Sequence, residues 1–213
     1  MYVKICGITK PEQGVAIEQM GANGLGFICV SSSPRYVDCR QICEITDRLS
    51  LKVDRIGVFL DAELSEINSI VTQAKLNIVQ LHGNESPVFC DRLRHELPDI
   101  KIIKALRIAT REALDRANLY ANWVDAILLD AYDPRLAGGT GKTIDWNMLA
   151  KFRPDCDWWL AGGLSITNIT TALEQVKPDG VDISSGVEQS PGDKDLEQVR
   201  KLLAMIDNQL VIT

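Results

Sequence analysis

Two side chains of the kind that move protons stand at the ends of short apolar runs. Cys6 closes "YVKIC" ahead of "GIT", and Asp130 closes "AILLD". A thiol whose pKa is brought towards neutrality can act as a general base. A carboxyl group at an apolar rim is raised by desolvation and suits a general acid or base. The bland alternatives are an inert buried cysteine and a turn-capping aspartate. Two further runs end in glycines and hydroxyls, "AGGLS" with Gly162 and Gly163, and "ISSGV" with Ser184, Ser185 and Gly186. Such turns let backbone N–H groups approach an anion, with phosphate as the natural guest. Plain tight turns are the alternative.

Three more candidates lie in polar segments. Arg35 in "SSSPRYV" has a planar fork suited to a carboxylate or a second phosphate, although a solvated surface arginine is the simpler reading of that residue alone. His82 in "QLHGNE" is a proton carrier, a substrate donor or a structural histidine. His95, in the polar stretch "CDRLRHELPD", reads as solvated. The stretch "LAGGTGKT" (136–143) looks like a nucleotide-binding P-loop, but Leu136 stands where the first glycine is required. Turn-forming residues also separate it from the preceding strand, so an NTPase is rejected.

These residues need a frame that gathers strand ends. Eight short apolar runs, at about 2–8, 24–30, 54–60, 78–83, 101–108, 125–130, 157–163 and 180–186, alternate with segments of helical period. The helical segments include "PEQGVAIEQMG", with Pro11 in a first turn and Gly21 as a stop, and "AELSEINSIVTQAK", with Leu64, Ile67, Ile70 and Val71 on one stripe. No linker interrupts them, so residues 1–213 are expected to form one α/β domain, a (β/α)8 TIM barrel. In that fold the active site lies at the C-terminal strand ends, and the loops after the seventh and eighth strands commonly hold phosphate. Side-chain alternation then turns Lys4 inward below Cys6 and Asp182 inward below Ser184. The first and last strands are neighbours in a closed barrel, so Lys4 and Asp182 are expected to pair.

Taken together, "KICGIT" (4–9), "GFICVSSSPRYV" (26–37), "GVF" (57–59), "QLHGNE" (80–85), "LLDAYDPRLAGGTGKTIDW" (128–146), "AGGLSITN" (161–168) and "VDISSGVEQSPGDKD" (181–195) resemble the phosphoribosylanthranilate isomerases of tryptophan biosynthesis. The resemblance runs nearly end to end. It implies a cofactor-free Amadori rearrangement of N-(5-phosphoribosyl)anthranilate, with Cys6 as general base and Asp130 as general acid. It further implies that Arg35 meets the substrate carboxylate and that Gly162, Gly163, Ser184, Ser185 and Gly186 cradle its phosphate. His82 and Asp182 are implied as other substrate contacts, and "AGGTGKT" as part of a loop covering the substrate. No metal is implied, and members occur as monomers and as homodimers.

Composition sets the bounds. A net charge of -6 and a pI near 5.0 argue against nucleic-acid and anionic-membrane partners, while a small phosphosugar is allowed. The first residues lack a signal-peptide core, and no apolar run approaches bilayer length. The six cysteines form no CxxC pair, which suggests reduced thiols, mostly buried small hydrophobes, in a cytoplasmic protein. Competing readings are a metal-dependent epimerase, an aldolase using Lys104 as Schiff-base lysine, and a catalytically dead phosphosugar-binding barrel.

Overall fold

The computed structural model describes residues 1–108, 111–131 and 146–212. Its eight parallel strands are β1 (Tyr2–Cys6), β2 (Gly24–Ile28), β3 (Asp54–Phe59), β4 (Ile78–Leu81), β5 (Lys101–Ile108), β6 (Ala126–Ala131), β7 (Asp157–Leu160) and β8 (Gly180–Ile183). They pair in sequence order and close where β8 meets β1. The architecture is a (β/α)8 barrel, as the eight alternating runs imply.

Alternation divides each strand between two cores. Inward residues Ile56, Ile78, Ile103, Ala105, Ala126, Leu128, Trp159 and Ala161 fill the barrel, while outward residues such as Ile5, Leu25, Phe27, Val79 and Ile183 pack beneath the helices. Large and small inward residues compensate, as a small barrel requires. Tyr2 stacks on Trp159 with ring centroids 4.4 Å apart. Gly24 and Gly180 leave that pair its room, since a Cβ on Gly24 would meet the Tyr2 hydroxyl and one on Gly180 would lie 2.9 Å from the Trp159 ring.

The helical layer comprises α1 (Pro11–Gln19), α2 (Cys39–Thr46), α3 (Leu64–Gln73), α4 (Pro87–Glu96), α5 (Arg111–Ala117), α6 (Trp146–Leu149), α7 (Ile169–Gln175) and α8 (Leu196–Ile212). Pro11 opens α1, and Gly21 follows its end with φ 99°. A capping box of Asp38 and Gln41 starts α2. Ile67 and Val71 bury the stripe of α3. Among the described residues no helix is long and apolar enough to cross a membrane.

Two apolar runs, the seventh and the eighth, overshoot their strands by three residues, and the overshoot is where the mouth is built. β7 stops at Leu160 because Gly162 and Gly163 take φ 87° and 67°, outside any strand. β8 stops at Ile183 because Ser185–Val187 wind into a 3-10 turn. After it comes an antiparallel hairpin, β9 (Glu188–Ser190) with β10 (Asp193–Lys194), which the eight-run reading did not contain.

The expectation that most thiols are buried needs correction. Only Cys6 and Cys90 are buried; Cys29, Cys39, Cys43 and Cys156 are partly exposed, although all six are free thiols. Cys39 and Cys43 face one another four residues apart on a surface helix, where the apolar stripe belongs to Ile42 and Ile45.

Candidate active site

β1 delivers Cys6 to the mouth and Lys4 to the layer beneath. Register aligns Lys4 with Asp182 of β8, and the expected pair forms, Lys4 Nζ lying 3.0 Å from Asp182 Oδ1 with the lysine fully buried. The charge of the same ammonium acts on the Cys6 thiol. Gly26 on β2 leaves space for both groups, because a Cβ there would lie 2.7 Å from Cys6 Sγ and 3.0 Å from Lys4 Nζ.

Electrostatics at the thiol pull in two directions. Burial pushes the Cys6 pKa up; the Lys4 charge opposes this and Asp182 adds to the rise, leaving it above its ordinary value. At Lys4 burial works against the ammonium, but Asp182 and Cys6 outweigh it and its pKa is raised. The thiol therefore has a permanent cation beside it. That cation is the group able to stabilise a thiolate once one forms.

Arg35 is no solvated surface residue. Its stem crosses Gly7, whose φ is 80° and whose hypothetical Cβ would lie 2.7 Å from Arg35 Cδ and 3.3 Å from Ser184 Oγ. Its Nε donates to both oxygens of Glu188, at 2.9 and 3.1 Å, and its Nη2 donates to Glu188 Oε2 at 2.6 Å. Glu188 in turn accepts from Lys194 Nζ at 2.7 Å and from the Gly192 N–H. Burial alone would raise the Glu188 carboxyl, yet the Arg35 and Lys194 contacts outweigh it and hold its pKa below the ordinary value. Neither Glu188 nor Lys194 was singled out from sequence. Both fall inside the motif-rich stretch 181–195, which was the available signal.

The glycine turns after β7 and β8 touch. A Cβ on Gly186 would fall on the Leu164 carbonyl oxygen, so only glycine fits. Asn168 Nδ2 donates to the Gly163 carbonyl at 2.9 Å, and Asn168 Oδ1 accepts from Ser165 N–H, which fixes the first turn. The Ser184 hydroxyl is committed to the Cys6 carbonyl at 3.1 Å. It ties the second turn to β1.

Across the mouth, β4 and β6 bring His82 and Asp130 together, Nε2 to Oδ2 at 3.4 Å, with side chains 23% and 19% exposed. Gln80 Nε2 lies 3.0 Å from His82 Nδ1. An amide N–H donating to Nδ1 leaves the ring proton on Nε2, facing the carboxylate. Gln80 Oε1 is buried with no protein partner among the described residues. His95 is exposed on α4 beside Asp91, as expected. The stretch 136–143 lies outside the described residues.

The aldolase reading loses ground. Lys104 is buried outside the strand cylinder and spends its protons on the carbonyls of Leu81 and Gly83 and on Glu85 Oε2 at 2.8 Å. It is the clamp of the loop carrying His82 rather than a Schiff-base nucleophile. Among the described residues no three His, Cys, Asp or Glu side chains are grouped to hold a metal.

A family model for N-(5'-phosphoribosyl)anthranilate (PRA) isomerase matches residues 3–205. A Trichormus variabilis N-(5'-phosphoribosyl)anthranilate isomerase is 52% identical over 98% of this chain and 100% of its own length. The solved phosphoribosyl anthranilate isomerase of Thermotoga maritima superposes with TM-score 0.90 at 34% identity, covering 98% of this chain and 99% of the other. A further solved isomerase, in complex with reduced 1-(o-carboxyphenylamino)-1-deoxyribulose 5-phosphate, superposes with TM-score 0.87 at 32% identity over 98% and 99% of the two chains. With a match this complete in sequence and in backbone, the chain belongs to the phosphoribosylanthranilate isomerase family.

Proposed function

We propose that the chain converts N-(5-phosphoribosyl)anthranilate to 1-(2-carboxyphenylamino)-1-deoxyribulose 5-phosphate, with Cys6 as base and Asp130 as acid. One observation supports this most: Cys6, Arg35 and Ser184 converge around Gly7, on the rim that also carries the His82–Asp130 pair. Phosphate takes the turns of Gly162, Gly163, Ser184, Ser185 and Gly186, the aryl carboxylate takes Arg35, and the ribose lies between.

The reaction proceeds by proton transfer alone. Asp130 protonates the ribose ring oxygen, the bond from C1 to that oxygen breaks, and the anilino nitrogen lone pair makes the C1–nitrogen iminium. The Cys6 thiolate removes the C2 proton, and the C–H electrons form the C1–C2 double bond of the enolamine while the iminium electrons return to nitrogen. Tautomerisation gives the C2 ketone. C2 is oxidised and C1 reduced within one molecule, so no external oxidant enters the balance. Asp182 reaches a sugar hydroxyl while holding Lys4, and His82 keeps Asp130 directed at the ring oxygen.

The working unit is one barrel domain spanning residues 1–213, acting in the cytoplasm as a monomer or homodimer, with a phosphosugar and neither nucleic acid nor membrane as partner. The net charge of -6 supports the exclusion of polyanions. Loss of anthranilate-type fluorescence on mixing the protein with freshly made phosphoribosylanthranilate tests the reaction. No loss would overturn it.

A further inference from the structure

The hairpin after β8 supplies two buried charges that chain onto Arg35 of the loop after β2. Arg35, Glu188 and Lys194 have side chains 13%, 4% and 0% exposed, and Lys194 Nζ also donates to the Ser184 carbonyl at 3.2 Å. A guanidinium has two hydrogen-bonding edges. Glu188 fills the Nε/Nη2 edge with a fork of three contacts, and among the described residues no group hydrogen-bonds Nη1. The remaining Nη1/Nη2 edge has the geometry for one more carboxylate.

Glu188 does not increase the positive charge at the site. A carboxylate beside the cation that receives an anionic substrate lowers the local potential, and two cations with one anion leave a net single positive charge. What Glu188 adds is orientation: a long side chain with free torsions is held in one plane, and Lys194, anchored through its backbone to Gln13, holds Glu188 in turn. We propose that Glu188 and Lys194 are positioning residues that set the preference for an aryl carboxylate on the substrate, by fixing the plane of Arg35 and tying it to the phosphate turn. This rests on the reading of Arg35 as the carboxylate contact.

Charge and orientation predict opposite signs, which makes the idea testable. Phosphoribosylanthranilate and the carboxylate-free analogue phosphoribosylaniline are compared by chromatography of the ketose products, and the ratio of their kcat/KM values is the readout. A merely structural lesion lowers both substrates alike and leaves the ratio unmoved. The parent should favour the carboxylate substrate, and Glu188→Gln should cut that preference at least ~10-fold, the lower range for one hydrogen bond to a charged group. Pure electrostatics gives the reverse, because losing Glu188 raises the local charge. The double variant Glu188→Gln, Lys194→Met restores the parent's net charge and buries no unpaired lysine, so it carries the same reading should the single variant not fold. Its preference should stay reduced. A preference kept or increased in the variants overturns the positioning role while the Arg35 reading survives; a parent indifferent to the carboxylate overturns both.

Discussion

The pKa of the Cys6 thiol is set by charged neighbours with opposite effects, and the balance can be tipped either way. Lys4 lowers it, Lys194 adds a smaller pull in the same direction, and Asp182 raises it, on top of the rise caused by burial. Replacing Lys4 by Met should therefore shift the pH dependence of Cys6 alkylation by iodoacetamide to higher pH. Asp182→Asn should shift it lower, because it removes a negative charge and frees the Lys4 ammonium for the sulfur. Peptide mass spectrometry reports Cys6 separately from the partly exposed thiols, and shifts of the same sign in both variants would contradict the account. At this scale the sequence was informative where parity applied: the Lys4–Asp182 pair was legible, as was the placement of Cys6 and Asp130 at strand ends. Glu188 was not, because its importance comes from touching Arg35 across 153 positions of sequence, which no local pattern encodes.

At the scale of elements, strand ends and the turns after them fix the site, and glycine is what lets them approach. Gly186 stands against the backbone oxygen of Leu164, and neither side can give way as a flexible side chain would. Gly186→Ala should push the turns after β7 and β8 apart. Inhibition by inorganic phosphate should weaken at least ~10-fold, with a stability loss of about 1–3 kcal/mol as for other overpacked sites; phosphate titration and thermal melting measure the two. Strand identity was readable from apolar runs, but strand ends were not, since "LAGG" and "ISSG" continue the run chemically while positive φ and a 3-10 turn end it structurally. The β9–β10 hairpin has no sequence signature for a related reason. Its three- and two-residue strands are too short and too polar to show a period.

For the whole molecule, burial of thiols couples folding to alkaline pH. Burial pushes Cys29 up to about 12 and Cys90 up to about 11, against an unfolded value near 8.5. A raised folded pKa gives stability that is complete below the unfolded value and is lost as pH rises through the folded one. Under reducing conditions the melting temperature should hold to about pH 8.5 and fall towards pH 11. Cys90→Ala should be less stable at neutral pH, since it leaves a small cavity in the helical layer, and its further loss between pH 8.5 and 11 should be smaller than the parent's. Equal losses would remove Cys90 from the explanation. The overall fold was legible because eight runs alternating with helical segments leave few architectures open, and closure of β8 on β1 then brings both ends of the chain into one site.

The central claim is that Cys6 and Asp130 move the two protons of one rearrangement. It is tested most directly by the loss of anthranilate-type fluorescence with phosphoribosylanthranilate, in the parent beside Cys6→Ala and Asp130→Asn. Turnover in the parent with kcat reduced at least ~100-fold in each variant, the low end for losing a general acid or base, is the predicted result. A parent that binds the substrate without turnover, or either variant retaining parent-like kcat, would contradict it.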